Sequence, residues 1–289
     1  MSPPNLFIVG APKCGTTSLY CYLREHPQIY MSPLKEPQYF AEDLRGERRR
    51  VRTLEEYLDC FSGAHNEPVV GEASTAYLAS PNAARLIKAF APDARIIIML
   101  RNPVDKMYSR FNDARFNNRE PRESFEAALD WEEQNGPAMG LGYRASARYV
   151  GPVRRYLDAF GKETVHIILF DDFAEHPRES YEGVLQFLGV PSDGRSEFPI
   201  VNNRRSARSM QMQEFARQPP NAVRNLARMV IPLRMRRRVR RWLSALNVDQ
   251  TPPPPVSMEL RRHLTSEFTQ EIAELSRLIE RDLSRWLIP

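Results

Sequence analysis

The chain has 289 residues, enough for one large α/β domain or two small ones, with 42% hydrophobic and 27% charged residues. That balance excludes a disordered or fibrous protein, and the longest apolar run, Ile96–Leu100, is strand-length and far short of a membrane span. Lys and Arg outnumber Asp and Glu by 41 to 36, but arginines cluster between Arg224 and Arg241, so the charge favours an anionic ligand without implying a nucleic-acid partner.

The first element, Leu6–Gly10, reads as a buried parallel strand. A glycine-bearing loop leads into a helix over Thr16–Arg24, with Leu19, Tyr20 and Leu23 at helical spacing, and His26-Pro27 stops it. Val69–Gly71 is a second strand and Arg85–Phe90 a helix closed by Ala91-Pro92. Arg95–Leu100 is the strongest strand, after which Pro103 opens a helix running to about Phe116. Residues 117–160 are mostly helical and are expected to cover the acceptor side. Thr164–Phe170 is another buried strand, and Arg178–Leu188 a helix with Gly189 at its C-cap. Strands alternating with helices predict an α/β fold, a P-loop-like parallel sheet flanked by helices on both faces, within a single domain over 1–289.

The C-terminal part is different in kind. Residues 224–250 form a basic helical segment, read in three ways: a solvated helix, a lid over an acidic acceptor, or a peripheral contact of residues 224–241 with anionic lipid. Pro252–Pro255 is a stiff spacer. Residues 256–287 form a C-terminal helix whose stripe, Leu260, Leu264, Phe268, Ile272, Leu275, Ile279 and Leu283, packs back on the domain. The scattered cysteines Cys14, Cys21 and Cys60 argue against a disulfide framework or a zinc site, and no basic N-terminal region precedes an apolar stretch. A cytoplasmic location is the expectation.

The central motif is Gly10-Ala-Pro-Lys-Cys-Gly-Thr-Thr-Ser18, set between strand and helix. Glycines admit a phosphate close to the backbone, and the helix N-terminus, the hydroxyls of Thr16, Thr17 and Ser18 and the charge of Lys13 all favour an anion. A nucleoside-triphosphate loop carries lysine directly after its second glycine, whereas Thr16 stands there here. Such a site also wants an acidic strand end to hold magnesium, whereas the strongest strand ends in Leu100-Arg101-Asn102. The pattern suits a nucleotide with anions at two places and no metal.

These residues resemble the PAPS-dependent sulfotransferase family (PAPS is 3′-phosphoadenosine 5′-phosphosulfate), nearest in pattern to its bacterial and heparan-type, glycan-modifying branch. Phe7–Ser18 is similar to the 5′-phosphosulfate loop and Arg95–Arg110 to the 3′-phosphate segment. Lys35-Glu-Pro-Gln-Tyr-Phe40, Gly71-Glu-Ala-Ser-Thr-Ala-Tyr77, Phe187-Leu-Gly-Val190 and Glu280-Arg-Asp-Leu-Ser-Arg-Trp286 extend the likeness over nearly the whole chain. The resemblance implies metal-independent sulfuryl transfer from PAPS to a hydroxyl or amine of a glycan, lipid or other small-molecule acceptor, releasing adenosine 3′,5′-bisphosphate.

By the same resemblance Lys13 assists the leaving group, and the run Cys14, Gly15, Thr16, Thr17, Ser18 holds the 5′-phosphate. Arg101 and Ser109 clamp the 3′-phosphate, and Glu36 is the general base. Apart from the resemblance, Glu72 is read as an orienting residue and Lys35, Phe40 and Tyr77 as candidates for the acceptor wall, with core packing as the alternative for at least one of Phe40 and Tyr77. Two departures from the heparan-type pattern stand out: Ala73 occupies the place of an active-site lysine, and Arg204, Arg205 and Arg208 replace the downstream phosphate loop as candidate donor contacts. The competing readings are a P-loop phosphotransferase and a non-enzymatic basic membrane adaptor.

Overall fold

The computed structural model describes residues 3–45, 49–137, 142–199, 206–207, 248–249 and 253–289. The chain divides into two compact units, one of Met1–Lys106, Ser146–Asn202 and His263–Pro289, the other of Met107–Ala145 and Asn203–Arg262.

The first unit is built on a parallel five-stranded sheet of β1 (Leu6–Gly10), β2 (Ile29–Met31), β3 (Val69–Ala73), β4 (Arg95–Leu100) and β5 (Val165–Leu169), in the order β2-β3-β1-β4-β5. Every residue of β1 and β3 is buried, as is β4 from Ile96 onward, so these strands read as unbroken apolar runs with both faces covered. The helices, in chain order, are α1 (Thr16–Arg24), α2 (Glu42–Arg45), α3 (Leu54–Asp59), α4 (Ala83–Phe90), α5 (Pro103–Phe116) and α6 (Phe125–Asn135). They continue with α7 (Tyr143–Ala147), α8 (Val150–Phe160), α9 (Phe170–Glu175), α10 (Pro177–Leu188) and α11 (Met258–Ile279).

From β1 the chain crosses toward the β2 edge through α1, and from β3 it crosses toward β4 through α4. Right-handed crossovers in opposite directions place those helices on opposite faces of the sheet. Their partners agree. Tyr22 of α1 meets Tyr181 of α10 at 6.3 Å, whereas the Lys88 ammonium of α4 lies 5.1 Å over the Phe160 ring of α8.

The second unit centres on an aromatic cluster in which Phe125 of α6 packs 5.5 Å from Phe111 and 6.1 Å from Tyr143. The buried Glu120 carboxylate accepts from Tyr143 Oη at 2.8 Å and from Arg122 Nη1 at 3.1 Å, and the Arg122 guanidinium stacks 3.9 Å over Trp131. Ser124 caps α6 by accepting from Ala127 N at 3.1 Å.

The predicted bounds of β1, α1, β4 and α5 match those observed. The three-residue β2 escapes notice because it is too short to show a period. The C-terminal helix is shorter than expected. It stops at Ile279, where Glu280 turns left-handed with φ +53°, and the apolar stripe's last member, Leu283, is buried beyond that turn. A 3₁₀ turn over Ser284–Leu287 follows. Most of the basic segment 224–250 lies outside the described residues. At its end Val248–Asp249 is not helical but a strand, β7, paired antiparallel with β6 (Ser206–Ala207), a geometry that suits a β-branched valine. Among the described residues no helix is long and apolar enough to cross a membrane.

The C-terminal turn packs hard against the sheet. Trp286 is 1% exposed, its Nε1 donates to Asp171 Oδ2 at 2.7 Å, and its carbonyl accepts from Asn102 Nδ2 at 3.2 Å. Trp286→Ala is expected to lower stability by about 3–5 kcal/mol in urea unfolding. Ile288→Ala, at a position 70% exposed, should stay within about 0.5 kcal/mol of the parent.

Candidate active site

Because all five strands are parallel, the segments that follow them leave from one edge of the sheet. Lys13 follows β1, Glu36 follows β2, Thr75 follows β3, Arg101 follows β4 and Phe170 follows β5. β1 and β3 are neighbours whose crossovers leave in opposite directions, and such a switch point is where open parallel sheets bind ligands.

The loop after β1 is shaped by two glycines. A Cβ on Gly15, which has φ +89°, would lie 3.1 Å from Phe170, 3.2 Å from Met99 and 3.3 Å from Phe173. A Cβ on Gly10 would lie 2.6 Å from Leu78 Cβ. Ala11 N donates to Met99 O at 2.7 Å, tying the loop to β4. Helix α1 opens with no acidic residue in its first turn and with glycine as its N-cap, so the amides there have no side-chain cap. Thr16 and Ser18 are buried beside those amides, and Lys13 and Thr17 are half-buried.

Arg101 is brought onto this loop. It is 8% exposed, its Nη1 donates to Lys13 O at 3.4 Å, and its guanidinium lies 4.4 Å over the Phe170 ring. Tyr149 Oη donates to Arg101 O at 2.8 Å, and the buried Lys106 ammonium, which donates to the Ser146 carbonyl, sits 4.7 Å over the Tyr149 ring. Arg101 Nε has no hydrogen-bond partner among the described residues. A buried guanidinium donor left unmatched is costly, so the geometry suits an anion arriving at the phosphate loop. This orphaned donor and the uncapped amides of α1 fit a phosphate group.

Glu36 is held from the neighbouring side. Its backbone has φ +63°, its N donates to Ala73 O at 2.9 Å, and its carboxylate accepts from Thr75 N and Thr75 Oγ1, each at 2.9 Å. Lys35 Nζ also donates to Oε1 at 3.0 Å, and both side chains are 22% exposed. The ion pair with Lys35 is therefore one of several contacts that orient this carboxylate.

Three assignments are revised. The Cys14 thiol is fully buried and lies 3.6 Å from Pro12 O, so its side chain faces the core and only its backbone remains to meet a ligand. Burial pushes that thiol's pKa up, against the opposing pull of Lys106 and Arg101. Phe40 and Tyr77 are core residues, not a cleft wall. Phe40 packs among Phe7, Tyr39, Tyr57 and Phe90, and Tyr77 Oη donates to the buried Glu72 at 2.8 Å. Of the expected acceptor wall only Lys35 is partly exposed. Ala73 is fully buried at the end of β3. Ser109 is half-buried on α5 and belongs to the second unit. Arg204, Arg205 and Arg208 lie outside the described residues. Sequence reasoning assigns no role to Thr75, Tyr149 or Phe170; Phe170 appears there only as the last residue of a predicted strand and Thr75 only within the Gly71–Tyr77 motif.

The chain belongs to the sulfotransferase family, whose sulfotransferase-domain model matches residues 3–251. The crystal structure of a sulfotransferase from Alicyclobacillus acidocaldarius superposes with a TM-score of 0.73 at 32% identity, covering 99% of each chain. Carbohydrate sulfotransferase 15 of Mus musculus is 28% identical over 252 residues, 65% of this chain and 44% of its own length. Bifunctional heparan sulfate N-deacetylase/N-sulfotransferase 1 of Caenorhabditis briggsae is 26% identical over 213 residues, 69% of this chain and 23% of its own length. The chain thus spans less than half the length of these curated relatives.

Glu72 titrates unusually, since burial raises its pKa from 4.5 to about 7 despite hydrogen bonds from Ser74, Tyr57 and Tyr77. Between those values the folded protein holds a proton that the unfolded chain has released. Its contribution to stability is therefore complete below about pH 4.5 and is lost as pH rises through about 7, a swing on the order of 3 kcal/mol. Urea unfolding from about pH 5 to about pH 8 should show this decline in the parent and a flatter profile in Glu72→Gln.

Proposed function

We propose that this protein transfers a sulfuryl group from PAPS to a hydroxyl or amine of a carbohydrate acceptor. The observation that carries the donor assignment is the buried Arg101 guanidinium, seated on the carbonyl of Lys13 with an unmatched Nε. The acceptor class is supported by the carbohydrate and heparan sulfate sulfotransferases among the relatives.

When bound, PAPS supplies the activated sulfuryl group and a nucleotide leaving group. The residues of the chain do the rest. Backbone amides from Gly15 to Ser18, with the hydroxyls of Thr16, Thr17 and Ser18, bind the 5′-phosphate at the N-terminus of α1. Lys13 stabilises the negative charge that grows on the bridging oxygen. Arg101 pairs with the 3′-phosphate through charge-assisted hydrogen bonds, and the family pattern adds Ser109 to that clamp. Arg204, Arg205 and Arg208 are further candidates for the donor's anionic edge. Glu36 takes the proton from the attacking acceptor atom, and Thr75 keeps its carboxylate turned to do so. Lys13 and Arg101 provide cationic charge that a metal would otherwise supply, so turnover requires none.

With labelled PAPS and a panel of glycan acceptors, Lys13→Ala and Glu36→Gln should each lower kcat by roughly 10²–10⁴-fold. Arg101→Ala should weaken adenosine 3′,5′-bisphosphate binding in calorimetry by about tenfold or more. EDTA should leave both turnover and binding unchanged. A parent protein that binds no adenosine 3′,5′-bisphosphate in EDTA would sink this reading.

A further inference from the structure

The loop that carries Glu36 is held in an unfavourable shape. Glu36 and Gln38 both occupy the left-handed region, at φ +63° and +60°, where non-glycine residues persist only if their surroundings over-determine them. Tracing what holds them leads to a single buried group. Glu72 is 0% exposed on β3, and its carboxylate accepts three hydroxyl donors: Tyr57 at 2.7 Å and Tyr77 at 2.8 Å on Oε1, and Ser74 at 2.6 Å on Oε2.

Each of those three residues touches the loop in turn. Ser74 Oγ accepts from Gln38 N at 3.0 Å, and Tyr77 Oη accepts from Phe40 N at 3.4 Å. The Tyr57 ring stacks on Tyr39 at 4.7 Å and 14° between planes. Once Glu72 is ionised, a hydroxyl whose proton is committed to its carboxylate presents its lone pairs in a fixed direction, so Glu72 sets where the two loop amides must lie.

From this network we propose that Glu72 is a positioning residue for sulfuryl transfer, aiming the Glu36 carboxylate through the relays Glu72–Ser74–Gln38 and Glu72–Tyr77–Phe40. The inference rests on Glu36 being the general base. Glu72 itself does not meet the acceptor, since it is enclosed by the tyrosines and Ser74. Its counterpart in the loop is Thr75, which grips the Glu36 carboxylate directly, so the relays place the backbone and Thr75 the side chain. Such a device separates catalysis from donor binding, because neither relay includes Lys13, Gly15 or Arg101.

The test uses Glu72→Gln, Ser74→Ala, their double variant, and Glu36→Gln as control. An amide at position 72 keeps the volume but leaves either Ser74 or both tyrosine hydroxyls facing an N–H, depending on its orientation. Glu72→Gln and Ser74→Ala should each lower kcat by about tenfold, while adenosine 3′,5′-bisphosphate affinity stays within about twofold of the parent. The double variant should lose little more than either single one, as members of one relay do. Amide hydrogen exchange at Gln38 and Phe40 should quicken by about tenfold in Glu72→Gln. Parental kcat and parental protection in that variant would overturn the proposal, as would additive losses or an equal fall in donor affinity. If Glu72→Gln does not fold, Ser74→Ala and Tyr77→Phe interrupt the two relays separately and carry the same expectations. Parental turnover in Glu36→Gln would instead remove the general-base assignment, and the exchange measurement would still decide whether Glu72 holds the loop.

Discussion

Burying a guanidinium at the end of a central strand requires compensation, and much of the first unit is arranged around the one at Arg101. The Phe170 ring covers its face, the Lys13 carbonyl accepts one N–H, and Tyr149 holds its backbone oxygen. Asn102, the next residue, accepts from Val104 N at 2.9 Å to start α5 and donates to the carbonyl of Trp286. The same Trp286 reaches Asp171, the neighbour of Phe170, so the C-terminal turn braces both sides of the arginine. The charge stays partly unmatched despite this frame. Replacing one member of such an arrangement is costlier than the pair is worth in stability, which suits a site kept for recognition.

A second feature shared by the two candidate catalytic positions is backbone shape. Lys13 and Glu36 both sit in the left-handed region, at φ +69° and +63°. Each such residue costs of order 1–3 kcal/mol unless its surroundings enforce it. The phosphate loop is enforced by packing and backbone bonds, with Gly15 pressed against Phe170, Met99 and Phe173. The loop of Glu36 is enforced by hydrogen bonds that converge on Glu72. The loop after β1 and the loop of Glu36 are thus braced by different physics.

Much of this was legible in the chain itself, and the reasons for the limits are specific. The strands β1 and β4 declare themselves because a strand covered on both faces is an uninterrupted apolar run, and α5 because Pro103 fixes its first turn. Gly15 and Lys13 stand out because a glycine-bearing strand-to-helix turn with a misplaced lysine is a local pattern. Phe40 and Tyr77 could be read either way, because an aromatic residue near a site motif has the same local signature whether it lines a cleft or fills a core. Phe40 is buried against Phe7, Tyr57 and Phe90, which come from three separate segments, and Tyr77 packs on Phe40 in turn. The roles of Thr75 and Tyr149 are not legible locally, since each acts on a residue far along the chain.

The amino-acid sequence alone marked out β1, α1, β4, α5, the anion-binding loop with Lys13, and Arg101 at a strand end, because hydrophobic period, glycine placement and charge are properties of neighbours. Glu36, by contrast, is reached only through the family resemblance. The tertiary structure decided which of these meet. Parallel pairing set Arg101 on the carbonyl of Lys13 and Thr75 on the carboxylate of Glu36, while burial turned Cys14, Phe40 and Tyr77 inward. Strand order and burial arise from packing between distant segments, and no window along the chain contains them.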